Sequence, residues 1–180
     1  MILAMLFAIS MEGGRARAAN RPGMPPPAAT AVEGDWSIEI TTSGGIAGSG
    51  FGNMRADSTG KLVVEASIPN KTHCEYTMTP TELADVGALV RSLRADLWYS
   101  SYLPADQRAW CCDMFFVEVQ LQRQERNATT GALETVLYKT QFINEQMLPI
   151  ARDLRSAVRQ LWSSTDPESL LNKYLLPCRQ

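Results

Sequence analysis

Histidine is almost missing from this chain: His73 is the only one in 180 residues. That scarcity closes most routes to catalysis, because a serine or cysteine nucleophile needs a base within hydrogen-bond reach. His73 follows Thr72 in a run that reads as a strand, with Cys74, Tyr76 and Met78 on one side and His73, Glu75 and Thr77 on the other. Successive strand side chains point to opposite faces, so His73 and Cys74 do not make a nucleophilic pair. Ser43 lacks the Gly-x-Ser-x-Gly elbow of hydrolases. Metal binding requires three or four converging ligands, and no Cys-x-x-Cys or comparable spacing is present. A glycine-rich run is present, but it lacks the Gly-x-x-x-x-Gly-Lys-Ser/Thr phosphate loop and leads toward a strand rather than a helix. No metal and no cofactor are expected, and an enzyme is the least expected class.

Long apolar runs are missing too. The N-terminal run Ile2 to Ile9 is far shorter than the roughly 20 residues of a membrane-spanning helix, so no stable membrane insertion is expected. Ala16-Arg17-Ala18 matches the small-x-small pattern before a cleavage site, and residues 1–18 read as a secretory signal peptide, although no basic residue precedes the apolar run. The expected location is periplasmic or secreted. Charge of one sign is also lacking. The formal balance is −2, and removing Glu12, Arg15 and Arg17 with residues 1–18 leaves 15 basic against 18 acidic residues. Such a surface has no electrostatic attraction for nucleic acid or anionic lipid.

Cysteines are few but even in number. Cys74, Cys111, Cys112 and Cys178 suit an oxidising compartment and allow three full pairings. Strand parity places Cys74 and Cys111 on the same apolar face, so Cys74–Cys111 with Cys112–Cys178 is the expected scheme, ahead of a strained vicinal Cys111–Cys112 bridge.

What is present is a pattern of short strands and two longer helices. Residues 19–34 are rich in Pro and Ala, a composition that stays extended and reads as a linker. From Trp36 the period is two: Trp36, Ile38 and Ile40 share a face, Phe51 to Ala56 follows as a second strand, and Leu62, Val64 and Ala66 come after the turn Asp57-Ser58-Thr59-Gly60. Those three strands read as a meander. Thr79-Pro80-Thr81-Glu82 combines capping-box spacing with proline at the first helical position, and the stripe Leu83, Val86, Val90, Leu93 and Leu97 extends the helix it opens. An alternating strand then carries Phe115, Val117, Val119 and Leu121 inward, and a turn around Asn127 leads to a partner strand over about 134–142. A second helix is expected over 147–162, with Ile150, Leu154, Ala157, Val158 and Leu161 as its stripe. A short third helix capped at Asp166-Pro167-Glu168 ends before Pro177. Strands joined by tight turns, with few helices, define an α+β fold: an antiparallel sheet of about five to six strands, two main helices on one face and a short C-terminal helix. The expected organisation is one domain over 35–163 followed by a helical extension over 164–180.

Two stretches stand out as a candidate binding surface. Five of the nine positions from Gly44 to Gly52 are glycine, which permits positive φ and close backbone approach. The plain reading is a hairpin connection; the sharper one is a loop that presents its backbone to a partner. The irregular segment from Trp98 to Asp113 holds Tyr99, Tyr102 and Trp110. Such aromatics either cover the end of the core or anchor an interface. The strand followed by Ser43-Gly44-Gly45-Ile46-Ala47-Gly48, the Asp57–Gly60 turn, the Thr79–Leu97 helix and the later strand pair plus helix together resemble the emfourin type of bacterial protein over roughly 36–162. The resemblance implies an antiparallel sheet with helices and inhibition of thermolysin-like metallopeptidases, with Ser43, Gly44, Gly45, Ile46, Ala47 and Gly48 in the shared motif. The four cysteines, the Trp98–Trp110 aromatics and the last helix are additions to that pattern. The expected function is an exported protein that binds a protein partner, a metallopeptidase by this resemblance, or an exported structural or interaction module without inhibitory activity.

Overall fold

The computed structural model describes residues 32–44, 52–66, 72–103, 114–143, 151–162 and 169–178. The expected signal peptide, most of the linker, Gly45 to Gly48, Trp110, Cys111 and Cys112 lie outside these residues. The chain is α+β. Six strands, β1 (Val32–Gly44), β2 (Gly52–Asp57), β3 (Lys61–Ala66), β4 (Thr72–Thr77), β5 (Phe115–Arg126) and β6 (Leu133–Ile143), form one antiparallel sheet in the order β4-β3-β2-β1-β5-β6. β1 begins at Val32, inside the stretch whose composition reads as linker.

Alternation decides which face is covered. Ile38 lies between Ala56 of β2 and Leu121 of β5, and Ile40 between Met54 and Val119; all six are buried. Each large apolar side chain so buried stabilises by about 1.5–3 kcal/mol. The intervening residues, among them Glu39, Arg55, Glu65, Glu75 and Gln122, face away from the helices and keep some or most of their surface in water. His73 lies on that outer face, as its parity predicts, while Cys74 and Tyr76 are half-buried beneath the helices.

Turns follow their residue chemistry. Asp57 accepts the Thr59 N–H at 2.9 Å, and Gly60 takes φ +88°, a backbone conformation that favours glycine, to close the β2–β3 turn. Asn127 accepts the N–H groups of Thr129 and Thr130 at 2.8 and 3.2 Å in the β5–β6 turn.

Helix α1 (Pro80–Ser92) opens as expected: the Glu82 N–H reaches the Thr79 hydroxyl while the Glu82 carboxylate accepts the Thr79 N–H. It stops earlier than the apolar stripe suggests. The Arg123 guanidinium of β5 donates to the carbonyls of Val90 and Leu93 at 3.0 and 2.9 Å, satisfying the end of the helix. A single 3-10 turn follows over Ala95–Leu97, and Leu97 is 37% exposed rather than part of the stripe. Helix α2 (Arg152–Trp162) buries Leu154, Ala157, Val158, Leu161 and Trp162. Its Asp153 accepts the Arg94 N–H at 2.8 Å, which ties the two helical segments together.

Helix α3 (Leu170–Cys178) starts at the Ser169 cap, whose hydroxyl accepts the Asn172 N–H at 3.3 Å. It runs through Pro177 instead of ending before it. The end is held covalently, because Cys178 is bonded to Cys74 with a Cα–Cα distance of 5.8 Å. This overturns the expected pairing of Cys74 with Cys111 and of Cys112 with Cys178. Parity placed Cys74 on the correct face, but the element that covers it there is α3. The ring of Tyr174 lies 4.8 Å from that of Tyr76, and the Tyr76 hydroxyl donates to the Tyr174 carbonyl at 3.2 Å. Leu170 and Leu171 belong to the apolar cluster formed with α1, α2 and the sheet, so α3 packs into the core. No helix among the described residues is long and apolar enough to cross a membrane.

Candidate binding surface

β1 delivers Ser43 and Gly44 to one end of the sheet, opposite Phe116 and Phe115 of β5. Gly44 has φ +93°, and a Cβ there would meet the Met114 carbonyl oxygen at 2.3 Å. Glycine is therefore required for the main chain of β1 to pass this close to β5 as it enters the glycine-rich stretch. Ser43 is exposed.

Tyr99 and Tyr102 reach the same end from the other side. The Tyr102 N–H donates to the Gln141 carbonyl of β6 at 2.8 Å, which fastens the segment after the 3-10 turn to the free edge of the sheet. The two rings meet edge to face, 5.4 Å apart. Tyr99 is 51% exposed, whereas Tyr102 is half-buried against the core. Between this pair and Ser43 stand β5 and β6, a separation of roughly 14 Å at the usual strand spacing of about 4.8 Å. The fold thus brings the Ser43–Gly44 strand end and the Tyr99–Tyr102 pair to one end of the sheet, with β5 and β6 between them. Ile46, Ala47, Gly48 and Trp110 lie outside the described residues.

Three residues outside the expected binding set fill the interval. Phe115 and Phe116 are half-buried, and Ile143, opposite Phe116, is buried although it faces away from the helices. The outer sheet face is mostly polar elsewhere, with Val63 and the exposed Leu133 and Leu137 as exceptions, and the row Ser43–Phe116–Ile143 is its apolar end. The signal was present as the adjacent pairs Phe115-Phe116 and Phe142-Ile143, in which one member of each must face away from the core.

Elsewhere on the outer face Lys61, His73 and Lys139 each lie against a carboxylate. His73 Nδ1 lies 3.0 Å from Glu65 and Nε2 3.5 Å from Glu75, which in turn pairs with Lys61 at 2.9 Å. The hydrogen bond to Glu65 leads the effects that raise the His73 pKa above its ordinary value. Cys74, bonded to Cys178, has no thiolate to offer beside it. A shallow depression of about 210 Å³ lined by Glu39, Asn53, Arg55, Val63 and Glu65 is smaller than the roughly 300–1,000 Å³ of small-molecule sites. No group of three His, Cys, Asp or Glu side chains is placed to hold a metal among the described residues.

A second polar cluster lies inside. Arg123 pairs with Glu125 at 2.7 Å while capping α1, and the Tyr138 hydroxyl donates to both Glu125 oxygens at 2.9 Å. Burial first, then the Glu125 hydrogen bond, pushes the Tyr138 phenol up to about 12. All these groups are engaged in fixing α1 to β5 and β6.

Comparison with protein-family models, curated proteins and solved structures finds no match to this chain.

Proposed function

We propose that this chain is an exported binding protein that presents the Ser43–Gly44 end of its sheet to a protein partner, and that the partner is a thermolysin-like metallopeptidase. The observation that carries the reading is the convergence at one end of a rigid sheet: an exposed strand end entering a glycine-rich stretch, the half-buried Phe115 and Phe116, and the exposed ring of Tyr99 on the neighbouring edge. Preformed main-chain groups and rigid aromatics bind with little ordering cost. The resemblance of Ser43–Gly48 and the element order to emfourin supplies the class of partner. The Cys74–Cys178 bridge agrees with export to an oxidising compartment.

The test is titration of the purified protein against several thermolysin-like peptidases. Stoichiometric loss of peptidase activity at micromolar concentration is expected, with Tyr99→Ala weakening inhibition by roughly tenfold as an interface anchor does. Full peptidase activity throughout the titrations leaves the second reading, an exported interaction module, which rests on the same exposed surface.

A further inference from the structure

The hydrogen-bond parity of β6 reveals which of its main-chain groups are unused. Gln141 accepts from Tyr102, so its backbone turns away from β5. Residues of a strand alternate in this respect, and the β5–β6 register runs without a shift from Phe116↔Ile143 to Arg126↔Leu133. The turn agrees, since the Asn127 N–H bonds the Ala132 carbonyl at 2.8 Å and starts the ladder on the even residues of β6. Leu133, Thr135, Leu137 and Lys139 therefore direct their N–H and C=O groups away from the sheet. No hydrogen bond from a described residue reaches the main chain of these four. Leu133 and Leu137 are 48% and 61% exposed. Edges are commonly blunted by proline, a bulge or unpaired charge; β6 has neither proline nor bulge, its one lysine, Lys139, is paired with Glu118 at 2.9 Å, and its one carboxylate, Glu134 near the turn, accepts from the Asn127 amide at 2.7 Å.

We infer that β6 is a homodimer interface, in which two copies pair β6 against β6, antiparallel, across a two-fold axis at Thr135. Self-complementarity selects both the occupant and the register. An axis at Thr135 sets Leu133 against the partner's Leu137 and Leu137 against the partner's Leu133, with the two threonines facing each other. On the helix-bearing face it sets Glu134 against the partner's Val136. The three facing pairs contribute about six main-chain hydrogen bonds, two per pair, and apolar cross-strand contacts. An axis at Glu134 would oppose two carboxylates. An axis at Leu137 would bring Leu133 against the partner's Gln141, whose carbonyl is already taken by Tyr102. An axis at Val136 would place each Leu133 against a lysine. Like charges face each other nowhere in the Thr135 register. The interface uses neither Ser43 nor Tyr99, so it stands apart from the peptidase reading.

Sedimentation of the full chain from low to high micromolar concentration tests it, with a species at twice 19.9 kDa expected. Thr135→Pro removes an outward N–H on the axis that the β5–β6 ladder does not use, a position where an edge strand accepts proline. This variant should sediment as a monomer with an unchanged far-UV spectrum. Leu137→Lys, at an exposed site, should weaken the dimer at least tenfold, and it decides the matter if the proline variant fails to fold. A wild-type monomer at every concentration overturns the inference in favour of another occupant of the edge. Folded variants that remain as dimeric as the wild type overturn it as well.

Discussion

Arg123 is 3% exposed, yet it is charged and lies on the helix-facing side of β5. Its position is tolerable because Nε donates to Glu125 and Nη1 to the carbonyls of Val90 and Leu93. Arg123→Ala would leave a buried carboxylate and two helix-end carbonyls without that donor, and a loss of about 3–5 kcal/mol is expected. Chemical denaturation at neutral pH measures it; a loss below about 1 kcal/mol would mean that water replaces the guanidinium. Glu82 works in the opposite direction. Burial raises its pKa, but Lys173, the Thr79 N–H, Tyr174 and the Thr79 hydroxyl together outweigh burial and hold it at about 2 against an ordinary 4.5. A carboxylate depressed by folding stabilises above its unfolded pKa and loses that contribution as the pH falls through the folded one. The contribution, on the order of 2 kcal/mol, should be present above about pH 4.5 and disappear toward pH 2. Glu82→Gln keeps the capping-box geometry and removes the charge. The stability gap between it and the wild type should be open at pH 6 and nearly closed at pH 2, and a gap independent of pH would assign the contribution to packing.

At the scale of elements, α3 decides whether the β3–β4 half of the sheet is covered. Three ties hold it: Leu170 and Leu171 in the core, Tyr174 and Lys173 against Glu82, and the Cys74–Cys178 bridge at its last turn. The bridge spans a sequence separation of 104, and closing so long a loop restricts the unfolded chain by about 4–5 kcal/mol in the chain-entropy picture. The double variant Cys74→Ser/Cys178→Ser should lose stability of that order at neutral pH. Limited proteolysis should then cut in α3 before any other described element, because a helix of nine residues is marginal when its docking is weakened. Equal protection of α3 in the bridged and unbridged proteins would show that Leu170, Leu171 and Tyr174 hold it unaided.

At the scale of the molecule, β1 joins two antiparallel units: the run β1 to β4 on one side and the β5–β6 hairpin on the other. A single apolar cluster crosses that junction and includes Trp36, Trp98 and Trp162. Tryptophan fluorescence and far-UV circular dichroism should therefore report one coincident unfolding transition; separated midpoints would mean that the hairpin side and the meander side unfold independently. The sequence by itself determined the local elements. The alternation in Trp36–Ile40 and Val117–Leu121, the Thr79–Glu82 capping box, the Asp57 and Asn127 turns and the opposite facing of His73 and Cys74 all depend on neighbours a few residues away. It also marked Gly44, because a glycine's conformational freedom belongs to the residue itself, and it marked Tyr99 and Tyr102 alike. Tertiary structure alone decided that β1 pairs with β5, that α1 ends on Arg123, that Cys74 meets Cys178, and that Tyr102 is half-buried while Tyr99 is not. Each of those depends on a partner far along the chain, and neither a period of two nor a period of 3.6 residues records which distant element will cover a face.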